Sequence, residues 1–468
     1  VAIAGLFSGC RTAGPDFVAP TPEAPAAFHH RGEAAAAGSA AAAPDAWWTL
    51  FADPTLDALQ ASALRNHPTL AAAAARVEEA RAARLLAGAD QTVSLSLDAA
   101  AQVAGESAER ITPLPSGEFR ARTRGDHHRV PFLAAYELDL WGRVRRQVES
   151  ADASFAATKA DAAAVRLLLT AEVAATWYQA RASAAERTVL ARTRDLQRDE
   201  IALREARTRA GLSNEFDLAR SRRELAQTEG ELAAVSAQHD RLLASLASLC
   251  GRPLAAVASE AAGARTDESA PPTIPAGLPA TVLARRPDVA AASARLHART
   301  AEIGVAEAAF YPSIRLTGAA GFESAELGAL LERPSQFWNV GPTLSLPLLD
   351  GGRREARLDA ARARAAAAEA DFRGVVLTAL REVEVALIDV RLSREQADAR
   401  LRALDAARDS LALARARHDQ GLTSYLEVID AERGALTAER AWSRQSAETR
   451  LALARLAGAL GGGWDAHD

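Results

Sequence analysis

The chain has 468 residues, 49% of them hydrophobic but only 5% aromatic, and a formal net charge of −5. This alanine-, arginine-, glutamate- and leucine-rich balance favours long helices over the aromatic-rich cores of a multi-domain enzyme. The cations are arginines apart from Lys159 and are mixed with acids, so no basic stripe suits a nucleic acid. No charge-free run of about 18 apolar residues suggests a transmembrane helix.

Residues 1–9 end an apolar stretch in small residues and resemble the remnant of a signal peptide, with Cys10 as the new N-terminus. Leu6-Phe7-Ser8-Gly9-Cys10 is similar to a bacterial lipoprotein box, with Phe7 where leucine is usual and without the charged start. A lipid on Cys10 is the expectation, and a chance cysteine is the alternative. Residues 10–46 are rich in Pro, Gly, Ala and Ser and form an extended tether. Trp47-Trp48-Thr49-Leu50-Phe51 supplies an aromatic anchor, and Asp53-Pro54 opens a helix that runs to about Ala89 with a break at Asn66-His67-Pro68.

The pattern then changes to period two. Val93, Leu95, Leu97, Ala99, Ala101 and Val103 alternate with polar residues, which predicts a half-buried strand. After a polar loop, Val130, Phe132, Ala134, Tyr136, Leu138 and Leu140 line one face of a second strand, completing a hairpin over 92–140. Residues 141–209 contain no proline and, after Gly142, no glycine, which predicts one helix roughly 100 Å long. A glycine turn and a return helix over 213–250 follow. Cys250 ends that helix and fits a small buried residue.

The same order then recurs. A short helix leads to a strand pair within 313–349, with strands at 313–322 and 337–348, then a long helix over 352–420 and a return helix over 423–460. Gly142, Gly211 and Gly251 recur 210 residues later as Gly352, Gly421 and Gly461, while His67-Pro68 and Arg286-Pro287 lie 219 apart. The chain is therefore a duplication: a first repeat over 47–262, a second over 263–464, and a tail at 465–468. The fold class is mainly α with a small β part. Strands of about ten residues suit an outer-membrane barrel, but four cannot close one, so a barrel must be shared between chains. Soluble hairpins packed on a coiled-coil scaffold are the other reading.

Taken together these segments resemble the outer-membrane efflux protein family of TolC-like channels, in its lipoprotein branch. The resemblance rests on Leu283-Ala284-Arg285-Arg286-Pro287-Asp288-Val289, Phe310-Tyr311-Pro312-Ser313, Tyr136-Glu137-Leu138-Asp139-Leu140-Trp141-Gly142-Arg143 and Ser424-Tyr425-Leu426-Glu427-Val428-Ile429-Asp430. It also rests on Gly14-Pro15-Asp16-Phe17, the Trp-Trp-Thr-Leu-Phe segment and Gly461-Gly462-Gly463-Trp464. It implies a homotrimer, a shared 12-stranded barrel and a helical tunnel across the periplasm. The partners implied are outer-membrane lipid, a periplasmic adaptor (membrane fusion protein) and an inner-membrane efflux pump. Drugs, metals or metabolites would be the cargo. A type I protein-secretion channel of the same fold is the alternative.

The resemblance also assigns sites. The hairpin tips, Arg209, Ala210, Gly211, Leu212 and Ser213 in one repeat and Gln420, Gly421, Leu422 and Thr423 in the other, would meet the adaptor. Leu426 and Asp430, four apart on one helix face, would form a channel gate, with Glu427 and its first-repeat counterpart Asp217. His418 stands where the family usually has an aromatic residue, and is either a pH-sensitive bond at the tip or a tolerated polar substitution. No phosphate loop, nucleophile set or paired-carboxylate cleft argues for an enzyme or a cofactor. His29-His30 and His127-His128 are expected in loops without the further ligands a metal needs.

Overall fold

A computed structural model describes residues 12–21, 24–30, 46–105, 112–113, 119–120, 124–212, 215–263, 271–274 and 279–462. Cys10, Ser213, and most of the 10–46 tether lie outside them. Contacts divide the chain into two units. One comprises residues up to Pro20, Val77–Thr158 and Ala292–Phe372, and the other Thr21–Arg76, Lys159–Ala291 and Arg373–Asp468. Each draws on both repeats.

In chain order, a 3-10 turn at Trp47–Phe51 precedes α1 (Pro54–Asn66) and α2 (Pro68–Ala89). Next come β1 (Ser94–Leu97), β2 (Ala100–Gly105), a two-residue pairing of β3 (Thr112–Pro113) with β4 (Phe119–Arg120), and β5 (Arg124–Leu138). The helices α3 (Arg143–Arg209), α4 (Glu215–Cys250), α5 (Leu254–Ala262), α6 (Pro279–Arg285) and α7 (Pro287–Ala308) follow. Finally β6 (Ser313–Ser324), β7 (Gln336–Ser345), α8 (Arg353–Asp419) and α9 (Tyr425–Ala459) close the described chain. The duplication is also written in the backbone. Gly211 and Gly421 take φ 73 and 72, and Gly142 and Gly352 take φ 76 and 79, a left-handed conformation that glycine adopts without steric cost. No single described helix is long and apolar enough to cross a membrane.

The sheet belongs to the first unit. Its antiparallel order is β1/β2, β5, β6, β7, so the second strand of one repeat pairs with the first strand of the other. β1 and β2 keep one register on β5. They are interrupted where Asp98 donates its N–H to the Pro131 carbonyl at 3.1 Å, because Pro131 has no N–H to return. Gly321 faces Pro131, and a Cβ there would lie 2.7 Å from the Pro131 Cα.

Cross-strand partners share a face. Leu97, Phe132, Ala320 and Trp338 form one row across all four strand positions, and Leu138, Ile314 and Leu344 form another. The opposite face carries Ser96, Leu133, Ala319 and Asn339 in one row and Glu137, Arg315 and Thr343 in another. Large apolar side chains on the first face are bare: Phe132 is 52% exposed, Trp338 77% and Val340 66%.

Two expectations change here. His127 and His128 lie inside β5, not in a loop, because the hairpin ladder extends to Gly105 opposite Arg124. His127 Nε2 approaches Glu323 Oε1 at 3.6 Å. The last strand stops at Ser345, short of the expected 348, just before Pro347, which lacks an N–H for the ladder.

The core of the second unit gathers Trp47, Trp48 and Phe51 with Leu56, Leu59, Val173, Trp177, Leu246, Val383, Leu453 and Leu456. Asp53 organises its start. It caps α1 by accepting from the Thr55 and Leu56 amides, and its other oxygen accepts from Trp177 Nε1 at 2.8 Å and Arg181 Nη1 at 2.9 Å. Cys250 is buried there, and burial pushes its thiol up to about 11, which makes it inert at neutral pH.

Candidate functional site: the helical hairpin tips

Both tips belong to the second unit and are built alike. α3 ends with Gly211 N–H bonded to Thr208 O and Leu212 N–H to Arg207 O, at 3.0 and 2.9 Å. α8 ends with Gly421 N–H bonded to His418 O and Leu422 N–H to Arg417 O, at 2.8 and 2.9 Å. Each is a Schellman stop, in which the left-handed glycine lets two amides cap the last free carbonyls. Arg209, Ala210, Gln420 and both glycines are exposed, and Thr423 is partly buried. Leu212 and Leu422 project outward at 70% and 65% exposure, and Phe216 adds a third apolar side chain at 76%.

His418 spans the second tip. Its Nδ1 lies 3.2 Å from the Thr423 carbonyl, and its ring lies 5.4 Å from that of Tyr425. Facing a carbonyl, Nδ1 must carry the proton, in the neutral and the protonated ring alike. An aromatic partner is therefore present at this tip, supplied by Tyr425 in the first turn of α9.

Leu426 is partly buried against a small cluster of Val189, Leu196, Ile429 and Leu436, beside Leu203. Glu427 and Asp430 are exposed, and neither forms an ion pair among the described residues. Asp217 is partly buried in the first turn of α4. Carboxylates there and at Glu427 also suit the positive ends of their helices, whatever else they do.

Sequence reasoning missed the arginines that tie the hairpins together. Arg433 of α9 contacts Glu224 of α4 at 2.5 Å and Glu200 of α3 at 3.9 Å. Glu200 is 3% exposed and also accepts from Arg204 at 2.8 Å. Higher up the same helices, Glu186 accepts from Arg440 at 2.6 Å and from Arg444. Burial pulls the Glu186 carboxyl up, but the hydrogen bonds and charges of Arg444 and Arg440 outweigh it and hold it below its ordinary value. Glu224 is held down the same way by Arg433 and Arg220. A helix so rich in alternating charges does not announce which pairs will meet.

Among known proteins, the chain matches the outer membrane efflux protein family over residues 59–252 and 278–462. It is 34% identical to outer membrane protein OprJ of Pseudomonas aeruginosa, across 97% of this chain and 94% of that protein. It is 31% identical to the solvent efflux pump outer membrane protein SrpC of Pseudomonas putida, across 88% of this chain and 86% of that one. The solved outer-membrane channel OprN superposes with a TM-score of 0.85 at 31% identity, covering 96% of this chain and 99% of that one. The duplicated glycine stops, the bare apolar sheet face and the matches over both repeats converge: the chain belongs to the outer membrane efflux protein family, and is a non-enzymatic outer-membrane efflux channel.

Proposed function

We propose that this channel works as a homotrimer, an exit duct that takes small molecules from an inner-membrane pump through a periplasmic adaptor. The observation that carries the trimer is the sheet. It has four strand positions, two unpaired edges at β1/β2 and β7, and one face of bare Leu, Phe, Trp and Val side chains. Open edges cannot sit in lipid, and four strands cannot close on themselves, so the β7 edge of one copy pairs with the β1/β2 edge of the next. Three copies give twelve strands, with the apolar face toward lipid and the Ser, Thr and Asn face toward water. Acylation of Cys10 would add an anchor in the same membrane. A pump-selected cargo fits a duct with few specific contacts, so the cargo is set by the partner.

The tips support adaptor docking through Gly211, Gly421 and the bare Leu212, Leu422 and Phe216. Leu426, Glu427 and Asp430 near the second tip, with Asp217 near the first, form the gate. Three exposed Asp430 carboxylates about one axis would favour cations and resist anions, and Arg433 braces the closed hairpins. The test is native mass spectrometry of protein extracted from membranes in detergent. A trimer with lipid mass on Cys10 is expected. A monomer or dimer refutes the shared barrel, and a trimer without that mass refutes the anchor alone. Asp430→Ala should then raise single-channel conductance, and an unchanged current removes Asp430 from the gate.

A further inference from the structure

Where the sheet meets the helices of the first unit, a groove of about 690 Å³ runs between α3, α7 and α8. Its cations are Arg143, Arg353, Arg354, Arg357 and Arg364, and its one acid is Glu302. The charges in it are unequally satisfied. Arg143 is clamped by Glu137, with Nε–Oε1 at 2.8 Å and Nη2–Oε2 at 2.9 Å. Arg354 holds Asp350 at 2.7 Å, and Glu302 is held by Arg299 at 2.8 and 3.0 Å. Arg353, Arg357 and Arg364 are exposed and have no carboxylate within ion-pair distance among the described residues. Steps of four and seven residues keep these three guanidinium groups within about 40° on one face of α8, over roughly 16 Å.

The duplication explains the imbalance at Arg353. Arg143 and Arg353 are repeat counterparts, but the counterpart of Glu137 is Pro347, and that of Asp139 is Leu349. The first repeat therefore gives Arg143 and Arg145 their carboxylates, whereas in the second Arg354 has Asp350 and Arg353 has none. A cation in the first turn of a helix, where Arg353 stands, works against the helix dipole.

The groove opens on the polar side of the sheet. An adjoining cavity of about 290 Å³ shares Arg143 and Ala309 with it and is lined by Glu137, Ser313 and Ser345, which all stand on the polar face. The docked N-terminal segment occupies the other side of α7. There Ala13 and Gly14 lie against Gly304, about 200° around the helix from the groove residues Glu302 and Ala306. The polar side is the lumen side in the proposed barrel, and that placement rests on the trimer reading. The groove itself lies within one chain.

From these observations we infer that Arg353, Arg357 and Arg364 form a lumenal binding site for a soluble polyanion, a small molecule carrying several carboxylates or phosphates. Guanidinium groups pair with such oxyanions in planar, two-bonded geometry. Ser150 across the groove adds a neutral polar group, while Gln147 is engaged by Arg143 Nη1 at 3.1 Å and donates to Asp90 at 3.2 Å. Three copies around one lumen would focus positive potential and raise the local concentration of anions.

The test uses the detergent-solubilised full-length protein and benzenehexacarboxylate as probe, titrated calorimetrically at two salt concentrations. Wild type should bind, more weakly at high salt, and the R353Q/R357Q/R364Q variant should bind at least tenfold more weakly. Arg362→Gln, about 200° from Arg364 on the same helix, should bind like wild type. Equal binding by the triple variant overturns the site, as does equal loss in Arg362→Gln. An anionic phospholipid that co-purifies with wild type but not with the triple variant, without probe binding, makes the groove a lipid site and refutes the inference. Native mass of the same samples separates the two readings: a trimer that ignores the probe refutes this inference alone, whereas a monomer refutes the duct.

Discussion

Asp53 offers the sharpest check on how the second unit is held together. It is 5% exposed, and its carboxylate accepts four hydrogen bonds. Truncation to alanine removes the cap of α1, worth about 1 kcal/mol. It also strands the Trp177 indole N–H, 1% exposed, at about 1–3 kcal/mol. Arg181, whose side chain is 20% exposed, recovers water and adds less than about 1 kcal/mol. The total is about 2–5 kcal/mol. Unfolding entropy of about 2.1 cal/mol/K per residue gives a chain of 468 residues roughly 1 kcal/mol/K, so Asp53→Ala should lower the melting temperature by about 2–5 °C. Asp53→Asn keeps the cap but turns an NH2 toward two donors, so it should fall nearly as far. Asp53→Ser restores the cap alone and should recover about 1 °C. The assay is scanning calorimetry in detergent, with all variants compared at one fixed scan rate. If Asp53→Asn melts with wild type, the Trp177 and Arg181 bonds carry nothing and the reasoning fails.

Val340→Arg places a charge on the bare face of the sheet and should cost about 2–4 kcal/mol if that face meets lipid, reducing the trimer recovered from outer membranes. Asn339→Arg, one residue away on the polar face, should be recovered as wild type, and equal losses would refute the assignment of faces. His239 is 8% exposed, with Nδ1 3.1 Å from Ser183 Oγ and 3.2 Å from Ala180 O. Burial, then the charge of Arg187, lower its pKa below the ordinary value, against the Ala180 bond and Asp240. An unfolded chain therefore binds the proton first. The stability due to neutral His239 is complete above about pH 6.5 and drains as pH falls toward the depressed folded value. Thermal melts at pH 7.5 and 5.5 should diverge more for wild type than for His239→Gln, and parallel shifts would remove His239 as the cause.

Much of the fold was legible because it is periodic. A run without helix breakers gives a long helix, alternation gives a strand, and a glycine repeated 210 residues later gives the same turn. Those are local properties, decided by sterics and by which side of an element is apolar. The faces of Leu97, Phe132 and Trp338 could be assigned from alternation alone. The gate and tip residues were reached through resemblance, since a lone Asp430 on a charged helix has no local mark.

What only the tertiary structure decided is which distant groups meet. The pairing of β5 with β6 joins the two repeats into one sheet, and nothing in either strand names its neighbour. Its register runs from His128–Ser324 to Leu138–Ile314, and the ladder of β2 on β5, out to Gly105 opposite Arg124, carried His127 and His128 into a strand. The bonds from Trp177 and Arg181 to Asp53, from Arg433 to Glu200 and Glu224, and from Arg440 to Glu186 cross more than 100 residues of sequence. In a chain with 55 cations and 60 acids many pairings are equally available by pattern. Desolvation chooses among them, because a charge that becomes buried must find its partner, and burial is a property of the packed chain rather than of any segment. By the same logic the three arginines of α8 stand out only once the fold has shown that the first repeat gives Arg143 a carboxylate and the second gives Arg353 none.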